Sequence, residues 1–205
     1  PKSTNIDIYG AKADGNETVN FTANNKATDT LPAFSSDGQW LAWAAMERPG
    51  YEADRLVVKL RKQGSDEDEA IALTKDWDRS VGSIVWTPDN KYLIVTAQEV
   101  LDHPAFAVEV ETGKVTRLTA GGNVGTTIPL QDGSLIYTMN SLQAPTDLYR
   151  RAADGTVRQL TNINGRELAQ IDAVDIKRFD FAGADGEQVW GQIIKPQGAS
   201  GKLPM

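Results

Sequence analysis

The stretch "SIVWTPDNKYLIVTA" (83–97) contains two apolar runs separated by a short polar turn, which is typical of a β-hairpin. Asp and Asn form hydrogen bonds to their own backbone in such turns, and Asn or Gly accepts the positive φ that the turn requires. Two other stretches have the same pattern, "LPAFSSDGQWLAWAA" (31–45) and "TIPLQDGSLIYTM" (127–139). The chain therefore contains an internal repeat.

Each repeat continues in the same way after its second strand. A third strand follows ("RLVVKL", "AFAVEV" or "DLYRR"), then a second turn, and then a closing strand that ends in Thr. The closing threonines are 52, 45 and 42 residues apart, at Thr22, Thr74, Thr119 and Thr161. The apolar residues before the first turns are expected to be equivalent to one another, namely Phe34, Trp86 and Leu130.

A period of about 40–50 residues with four short strands in each unit is typical of β-propeller blades. We therefore predict an all-β fold, a partial β-propeller of three full four-stranded blades plus the end of one more. A ring of seven blades needs roughly 300 residues, so further blades are expected to close it. The alternative is a β-sandwich with regular turns, which gives no reason for one turn and one ending to recur in order.

The domain organisation follows from the positions of the repeats. The predicted bounds are 1–29 for the end of a preceding blade, 30–75, 76–120 and 121–162 for three blades, and 163–205 for a connection and the first strands of another domain. Within the last segment, "FDFAGADGEQVWGQIIKP" (179–196) is interpreted as a hairpin that turns at Asp185-Gly186.

Composition excludes several functional classes. The net charge is −7 with no cluster of Lys and Arg, so nucleic acid is not an expected partner. The longest apolar runs are far shorter than 18 residues, so no membrane span is predicted. The absence of Cys excludes disulfides, thiolate metal sites and a Cys nucleophile. Composition leaves the compartment open, with a periplasmic or secreted location favoured over a cytoplasmic one.

The sequence offers no catalytic residue, cofactor site or metal site. A Ser-His-Asp triad needs a base next to its nucleophile, but His103 is the single histidine and is expected in a surface loop. "GASGK" (198–202) lacks the last Gly of a nucleophile elbow. The acidic "SDEDE" (65–69) lacks the spacing and the Gly of a calcium loop, so a solvated turn is expected.

Four motifs resemble the propeller of the prolyl oligopeptidase family of serine peptidases, in its dipeptidyl-peptidase 5 and acylaminoacyl-peptidase-like branch. They are "RPGYEADR" (48–55), "KDWDRSVGSIVWTPD" (75–89), "SLQAPTDLYR" (141–150) and "FAGADGEQVWGQIIKP" (181–196). The resemblance implies that the last hairpin begins an α/β-hydrolase domain. It also implies that this chain is the propeller portion of a serine exopeptidase, a dipeptidyl or acylaminoacyl peptidase, and that the propeller gates oligopeptide access and helps to bind oligopeptide N termini. A TolB-like propeller that binds proteins without catalysis is the alternative.

The resemblance also implies where the substrate binds. Second-to-third strand connections and blade-to-blade segments share one face of a propeller, which places "ERPGYEAD" (47–54) beside "KDWDRSV" (75–81) and "SDEDE" on the opposite face. Glu47, Glu52 and Asp54 are candidates to bind a substrate ammonium, and an Arg can hold a carbonyl or bridge to the hydrolase domain. The candidate substrate-binding residues are Glu47, Arg48, Tyr51, Glu52, Asp54, Arg55, Asp78 and Arg79. The alternative is that these charges pair locally and only shape the loop, with Glu52 or Asp54 bonded to Arg55 or Arg79.

The expected partners follow from the same interpretation. They are a peptide substrate, the remaining blades of the ring and the hydrolase domain. The exposed faces of the terminal blades could also form a homo-oligomer. No cofactor is expected.

Overall fold

The computed structural model describes residues 3–172, 174–199 and 201 of the 205-residue chain. A leading hairpin is formed by β1 (Tyr9–Ala11) and β2 (Thr18–Asn20). The first sheet contains β3 (Asp29–Phe34), β4 (Trp40–Ala45), β5 (Val57–Lys62) and β6 (Ile71–Ala72). The second sheet contains β7 (Val81–Trp86), β8 (Tyr92–Ala97), β9 (Ala105–Glu109) and β10 (Val115–Arg117). The third sheet contains β11 (Asn123–Pro129), β12 (Leu135–Ser141), β13 (Ala144–Arg151) and β14 (Val157–Gln159).

An exit hairpin of β15 (Val174–Ala182) and β16 (Gln188–Pro196) ends the described chain. It is longer than predicted, because β15 begins within the segment that was expected to be a connection. That segment also contains a one-turn helix, α1 (Gly165–Leu168). The turn lies where it was predicted, with positive φ at Asp185 and Gly186. No helix among the described residues is long and apolar enough to cross a membrane.

All strand neighbours within the sheets are antiparallel and consecutive in sequence, so each four-stranded sheet is a simple meander. The first turn of each meander has the predicted chemistry, since an Asp carboxylate accepts a hydroxyl hydrogen bond next to a residue with positive φ. The hydroxyl donors lie 2.6–2.7 Å from the carboxylates in the pairs Ser35–Asp37, Thr87–Asp89 and Ser134–Asp132. The prediction of an all-β fold with repeated four-stranded units is confirmed.

One predicted equivalence is wrong by one residue. The backbone N–H that closes the first turn belongs to Ser35, Thr87 and Leu130, so Leu130 corresponds to Thr87. The counterpart of Trp86 is instead Pro129, because Trp86 pairs with Leu93 and Pro129 pairs with Leu135. The third turn is shorter than the others, which produces this difference.

The apolar core lies between neighbouring sheets, as alternation along each strand requires. One face of β4 directs Leu41, Trp43 and Ala45 toward Ile8 of the leading hairpin. The first and second sheets bury another cluster that includes Leu60 and Leu93. A smaller cluster that includes Ile94, Val124 and Tyr137 joins the second sheet to the third.

The closing threonines explain why each unit ends with the same residue. Each threonine lies two residues after the end of its closing strand. Its hydroxyl accepts a hydrogen bond from a backbone N–H of the neighbouring strand or of the residue just before that strand. The donor–acceptor distances are 2.9–3.0 Å in the pairs Ile8–Thr22, Val58–Thr74, Ala105–Thr119 and Leu148–Thr161. The side chain thus continues the ladder past the point where the closing strand stops.

We expect Thr74→Val to lower the free energy of unfolding by about 1–2 kcal/mol, because it leaves the buried N–H of Val58 without an acceptor. Thr74→Ser keeps the hydroxyl acceptor and is the matched control. Urea denaturation at neutral pH measures both. Equal losses in the two variants would mean that the hydrogen bond to Val58 does not determine the effect.

Candidate functional site

The loop between β4 and β5 is organised around the carboxylate of Asp54. Asp54 Oδ2 accepts hydrogen bonds from the backbone N–H groups of Glu47 and Arg48, at 3.0 and 2.8 Å. Its Oδ1 accepts two more from the Arg48 guanidinium, at 3.0 Å from Nε and 2.7 Å from Nη2. These bonds, led by those from the Arg48 side chain, hold the pKa of Asp54 well below its usual range.

The Arg48 side chain is held on its other side by an aromatic ring. Its guanidinium carbon lies 4.1 Å from the centroid of the Tyr51 ring, which is a cation–π distance. Three of the predicted site residues, Arg48, Tyr51 and Asp54, therefore pair with one another. The pairing differs from the expected local alternative, in which Arg55 or Arg79 was the partner of Asp54.

Arg55 connects this loop to the segment between the first and second sheets. Its guanidinium donates to the backbone carbonyls of Trp77 and Lys75, the second at 2.6 Å. Next to it, the backbone N–H of Leu56 donates to Ser80 Oγ at 3.0 Å. The loop and the "KDWDRSV" segment are thus neighbours on one face, which we call the loop face.

Asp78 and Arg79 lie in the same segment and contact each other. Arg79 Nη1 lies 3.4 Å from Asp78 Oδ2 and also donates to the carbonyl of Asp78. The Asp78 side chain is fully exposed, so this ion pair contributes little to stability. Neither residue is among those that line the cavity described next.

A cavity of about 400 Å³ opens beside the loop, on the side of the first sheet that faces the leading hairpin. Glu47 and Arg55 are the predicted site residues that line it. The other charged lining residues are Asp29, Lys59, Glu67, Asp68 and Lys75. The cavity therefore brings together carboxylates and cations from four different segments of the chain.

Asp29 at the start of β3 is the most perturbed titratable group in this cavity. Its side chain is buried, and its two oxygens accept hydrogen bonds from Trp43 Nε1 at 2.8 Å and Asn25 Nδ2 at 2.9 Å. Burial raises its pKa to about 6, although the two donors act in the opposite direction. Perturbed carboxylates in clefts are often functional. Sequence reasoning missed Asp29, because an Asp at the start of a strand gives no sign that it will be buried.

The acidic turn is not the separate, solvated feature that the sequence predicted. The segment follows the end of β5, opposite the loop face, and contains a 3-10 turn (Glu67–Glu69). From there the chain runs back toward the loop face. The Glu67 carboxylate accepts hydrogen bonds from the backbone N–H groups of Asn24 and Asn25, at 2.9–3.2 Å. Glu67 thus lines the same cavity as Glu47, and its expected location on the opposite face is wrong.

Glu47 and Glu52 differ from Asp54 in having exposed side chains. Within the part of the chain that the structure describes, neither carboxylate has a hydrogen-bond or ion-pair partner. The loop therefore combines an internal Arg48–Asp54 brace with two carboxylates that are available to a ligand. Glu47 lines the cavity, whereas Glu52 lies on the same loop but outside the lining. A carboxylate beside a partly enclosed cavity can attract and hold a cation such as an ammonium group.

His103 is not the surface loop residue that was expected. It is half-buried, its Nδ1–H donates to the carbonyl of Val124 at 3.0 Å, and its backbone pairs with β11. Its neighbour Asp102 forms a bidentate ion pair with Arg178 of the exit hairpin, both distances being 2.7 Å. His103 therefore has a structural contact, and Asp102 joins the second sheet to the exit hairpin.

The chain is similar to several known proteins in sequence and in fold. No family model matches the chain. Dipeptidyl-peptidase 5 from Porphyromonas endodontalis is 30% identical over 205 residues, covering 98% of this chain and 29% of that protein. The acylaminoacyl peptidase of Pyrococcus horikoshii superposes with a TM-score of 0.72 at 22% identity, over 93% of this chain and 28% of the other. TolB from Acinetobacter baumannii superposes with a TM-score of 0.59 at 20% identity, over 94% of this chain and 44% of the other.

The structural similarities show the fold, and the four-stranded meanders are blades of a β-propeller. How many blades close the ring, and whether 163–205 begins a hydrolase domain, stay predictions. The chain spans less than a third of the length of the dipeptidyl-peptidase 5 relatives. The predicted family is confirmed by these relatives, which match nearly all of the chain. The chain belongs to the prolyl oligopeptidase family, in the branch that contains dipeptidyl-peptidase 5 and acylaminoacyl peptidase, and corresponds to part of the β-propeller of these proteins.

Proposed function

We propose that this region is part of the propeller of a serine exopeptidase that removes dipeptides or acylated residues from the N termini of oligopeptides. The catalytic Ser, His and Asp belong to a hydrolase domain that faces the loop side of the propeller. The propeller limits the size of the substrate and contributes to its binding. Support comes from the names of the relatives, which are dipeptidyl-peptidases and acylaminoacyl peptidases.

The observation that carries the proposal is the pair of available carboxylates on a braced loop. The bonds of Asp54 and Arg55 fix the loop backbone and leave the exposed carboxylates of Glu47 and Glu52 without a partner among the described residues. A substrate ammonium binds most strongly to carboxylates that become desolvated when the site closes. We assign the ammonium to Glu47 and Glu52, and the substrate carbonyl to Arg79, which lies on the same face.

The loop face also has the apolar surface that a covering domain needs. The three equivalent second-to-third strand connections each expose one large apolar or aromatic side chain, and the exposed fractions are 47% for Tyr51, 44% for Val100 and 56% for Leu142. A depression of about 790 Å³ next to Leu142 is lined by further apolar residues, including Leu168 and Ile171. Exposed apolar groups that cluster on one face typically contact another domain.

We expect Glu47→Gln and Glu52→Gln, made in a gene product that carries this region together with a catalytic domain, to raise KM for free-amine dipeptidyl-coumarin substrates about tenfold. The reason is that each variant removes one charge-assisted contact, worth about 1–2 kcal/mol. N-acetylated dipeptidyl-coumarins lack the ammonium and should keep their KM. Steady-state fluorescence assays measure both substrates.

Glu111→Gln is the matched control, because Glu111 is exposed in a turn at the other end of the second sheet. The assignment of the ammonium is wrong if both variants keep the wild-type KM for free-amine substrates. The peptidase proposal itself fails if the wild-type protein hydrolyses neither substrate class, and the TolB-like binding platform then becomes the better interpretation.

A further inference from the structure

A second cavity, of about 370 Å³, lies between the second and third sheets, near their first turns. It is at the end of the sheets opposite the loop face and is mostly apolar. Its apolar lining includes Tyr92, Ile94, Leu118, Pro129 and Leu130, and Arg151 is its one lining cation among the described residues. A volume of this size falls within the range of about 300–1,000 Å³ that small-molecule sites occupy.

The repeat shows why this junction is open. Pairing registers make Pro129 equivalent to Trp86, Ala107 equivalent to Leu60, and Arg151 equivalent to Val108. At the junction of the first and second sheets, these positions hold a tryptophan and two aliphatic residues in a single core.

The difference at the two junctions is one of size and charge. The Trp86 indole is 8% exposed and its Nε1–H donates to the carbonyl of Ala33 across the junction, at 2.9 Å. At the next junction Pro129 and Ala107 stand where the indole and a leucine fill the space. Ile94 stands where the first junction has the smaller Ala42, yet a gap remains. An interior gap forfeits the contacts of the side chains around it, which favours occupation by an apolar group.

The cation in the cavity is only partly engaged. Arg151 Nε donates to the carbonyl of Leu118 at 2.9 Å and its Nη1 to that of Ala152 at 3.3 Å. Its Nη2 has no hydrogen-bond acceptor among the described residues. Asp89 also lines the cavity, where its Oδ1 accepts from Thr87 and Lys91, and Asp154 Oδ1 accepts from the N–H of Thr156. Neither carboxylate forms an ion pair with Arg151 among the described residues.

We propose that this cavity, which lies between the second and third sheets at the position equivalent to the Trp86 indole, binds a small aromatic carboxylate. The aromatic ring takes the place that Trp86 occupies at the preceding junction, between Tyr92 and Pro129. The carboxylate pairs with the guanidinium of Arg151, a charge-assisted contact in a partly enclosed site. This site is separate from the loop face and does not depend on peptidase activity.

The test uses indole-3-acetate and its uncharged analogue indole-3-acetamide as probes, in calorimetric titrations of the full 205-residue chain. We expect the wild type to bind indole-3-acetate with a Kd below about 1 mM. Arg151→Met should weaken indole-3-acetate about tenfold while leaving indole-3-acetamide unchanged. Arg166→Met, in the short helix far along the chain, is the control for general charge attraction.

Two variants fill the cavity from opposite sides. Pro129→Trp introduces the indole found at the junction of the first and second sheets, and Ala107→Leu introduces the leucine found there. Each variant should raise the Kd of both probes at least about tenfold. A folded filling variant that binds as well as the wild type overturns the proposal. So does a wild type that binds neither probe at about 5 mM, or an Arg151→Met variant that weakens both probes equally. If Pro129→Trp and Ala107→Leu both fail to fold, the affinities of Arg151→Met for the two probes decide whether the proposal holds.

Discussion

Replacing Asp102 with alanine is expected to release the exit hairpin from the second sheet, at a cost of about 3 kcal/mol to the stability of the hairpin. The Asp102 carboxylate is almost completely buried. It accepts hydrogen bonds from Nη1 and Nη2 of Arg178, both at 2.7 Å, and from the backbone N–H of Gly122 at 2.9 Å. Alanine leaves these donors unpaired. Arg178 is about half exposed, so water recovers part of the loss.

The hairpin is sensitive to this contact because it has little else to hold it. Among the described residues, Asp102–Arg178 is the one ion pair that joins the hairpin to a four-stranded sheet. An isolated two-stranded hairpin is marginally stable in water. Several of its large side chains, including Phe181, Trp190 and Ile193, are about half exposed.

Hydrogen exchange of the amides in β15 and β16 measures the effect. A loss of about 3 kcal/mol corresponds to exchange roughly a hundredfold faster. Asp175→Asn is the matched control, because Asp175 lies 3.9 Å from Lys195 in an exposed pair of the same hairpin, and its loss should change exchange less than about threefold. Unchanged exchange in the Asp102 variant would show that other contacts fix the hairpin.

The same contact gives a dependence on pH. The Arg178 guanidinium holds the pKa of Asp102 below its ordinary value. The stabilisation is therefore fully present above the usual carboxylate range and is lost as the pH falls through the lowered pKa. Hairpin exchange in the wild type should approach that of the Asp102 variant at acidic pH.

The features that sequence reasoning predicted correctly are those that local chemistry determines. The alternation of apolar residues and the turn chemistry of Asp37, Asp89 and Asp132 need only a few neighbouring residues, so the meanders could be predicted. The recurring threonines marked the unit ends, although their hydrogen bonds could not be foreseen. The error at Leu130 arose because a shorter turn shifts the register by one residue, which a pattern of apolar letters does not reveal.

The features that could not be predicted depend on residues far apart in sequence. Asp102 and Arg178 are 76 positions apart, and neither position has a recognisable motif. Within the loop, the proximity of Arg48, Tyr51 and Asp54 was visible, but their pairing depends on backbone geometry. Glu67 was expected to be solvated because its acidic segment lacks the pattern of a calcium loop, yet its carboxylate accepts hydrogen bonds from the backbone N–H groups of Asn24 and Asn25.

Asp29 gives the second prediction with a large effect, a loss of stability as the pH rises. Burial raises its pKa in the folded chain to about 6, and the nearby carboxylates of Glu67 and Asp7 act in the same direction. The ordinary Asp pKa is about 3.9, so the folded state holds this proton more tightly than the unfolded chain does. Stability from this group is therefore fully present below about pH 4 and is lost between about pH 4 and 6, by about 3 kcal/mol.

Asp29→Asn removes the titration and keeps an oxygen that can accept from Trp43. Between pH 4 and pH 7 we expect the free energy of unfolding of the wild type to fall by about 3 kcal/mol relative to this variant, as measured by urea denaturation. Asp68→Asn, an exposed carboxylate that lines the same cavity, is the control and should follow the wild type. Parallel curves for wild type and Asp29→Asn would show that Asp29 ionises as it does in the unfolded chain.

The titration of Asp29 also tests the cavity beside Glu47 as an ammonium site. A bound ammonium favours the ionised carboxylate, so it should move the transition to lower pH. A free-amine dipeptide at saturating concentration is the probe, and its N-acetylated form is the control. If the free amine shifts the transition and the acetylated form does not, the ammonium lies close to Asp29 and Glu47. If neither compound shifts it, the ammonium does not bind next to Asp29, and the assignment of the ammonium to Glu47 is wrong.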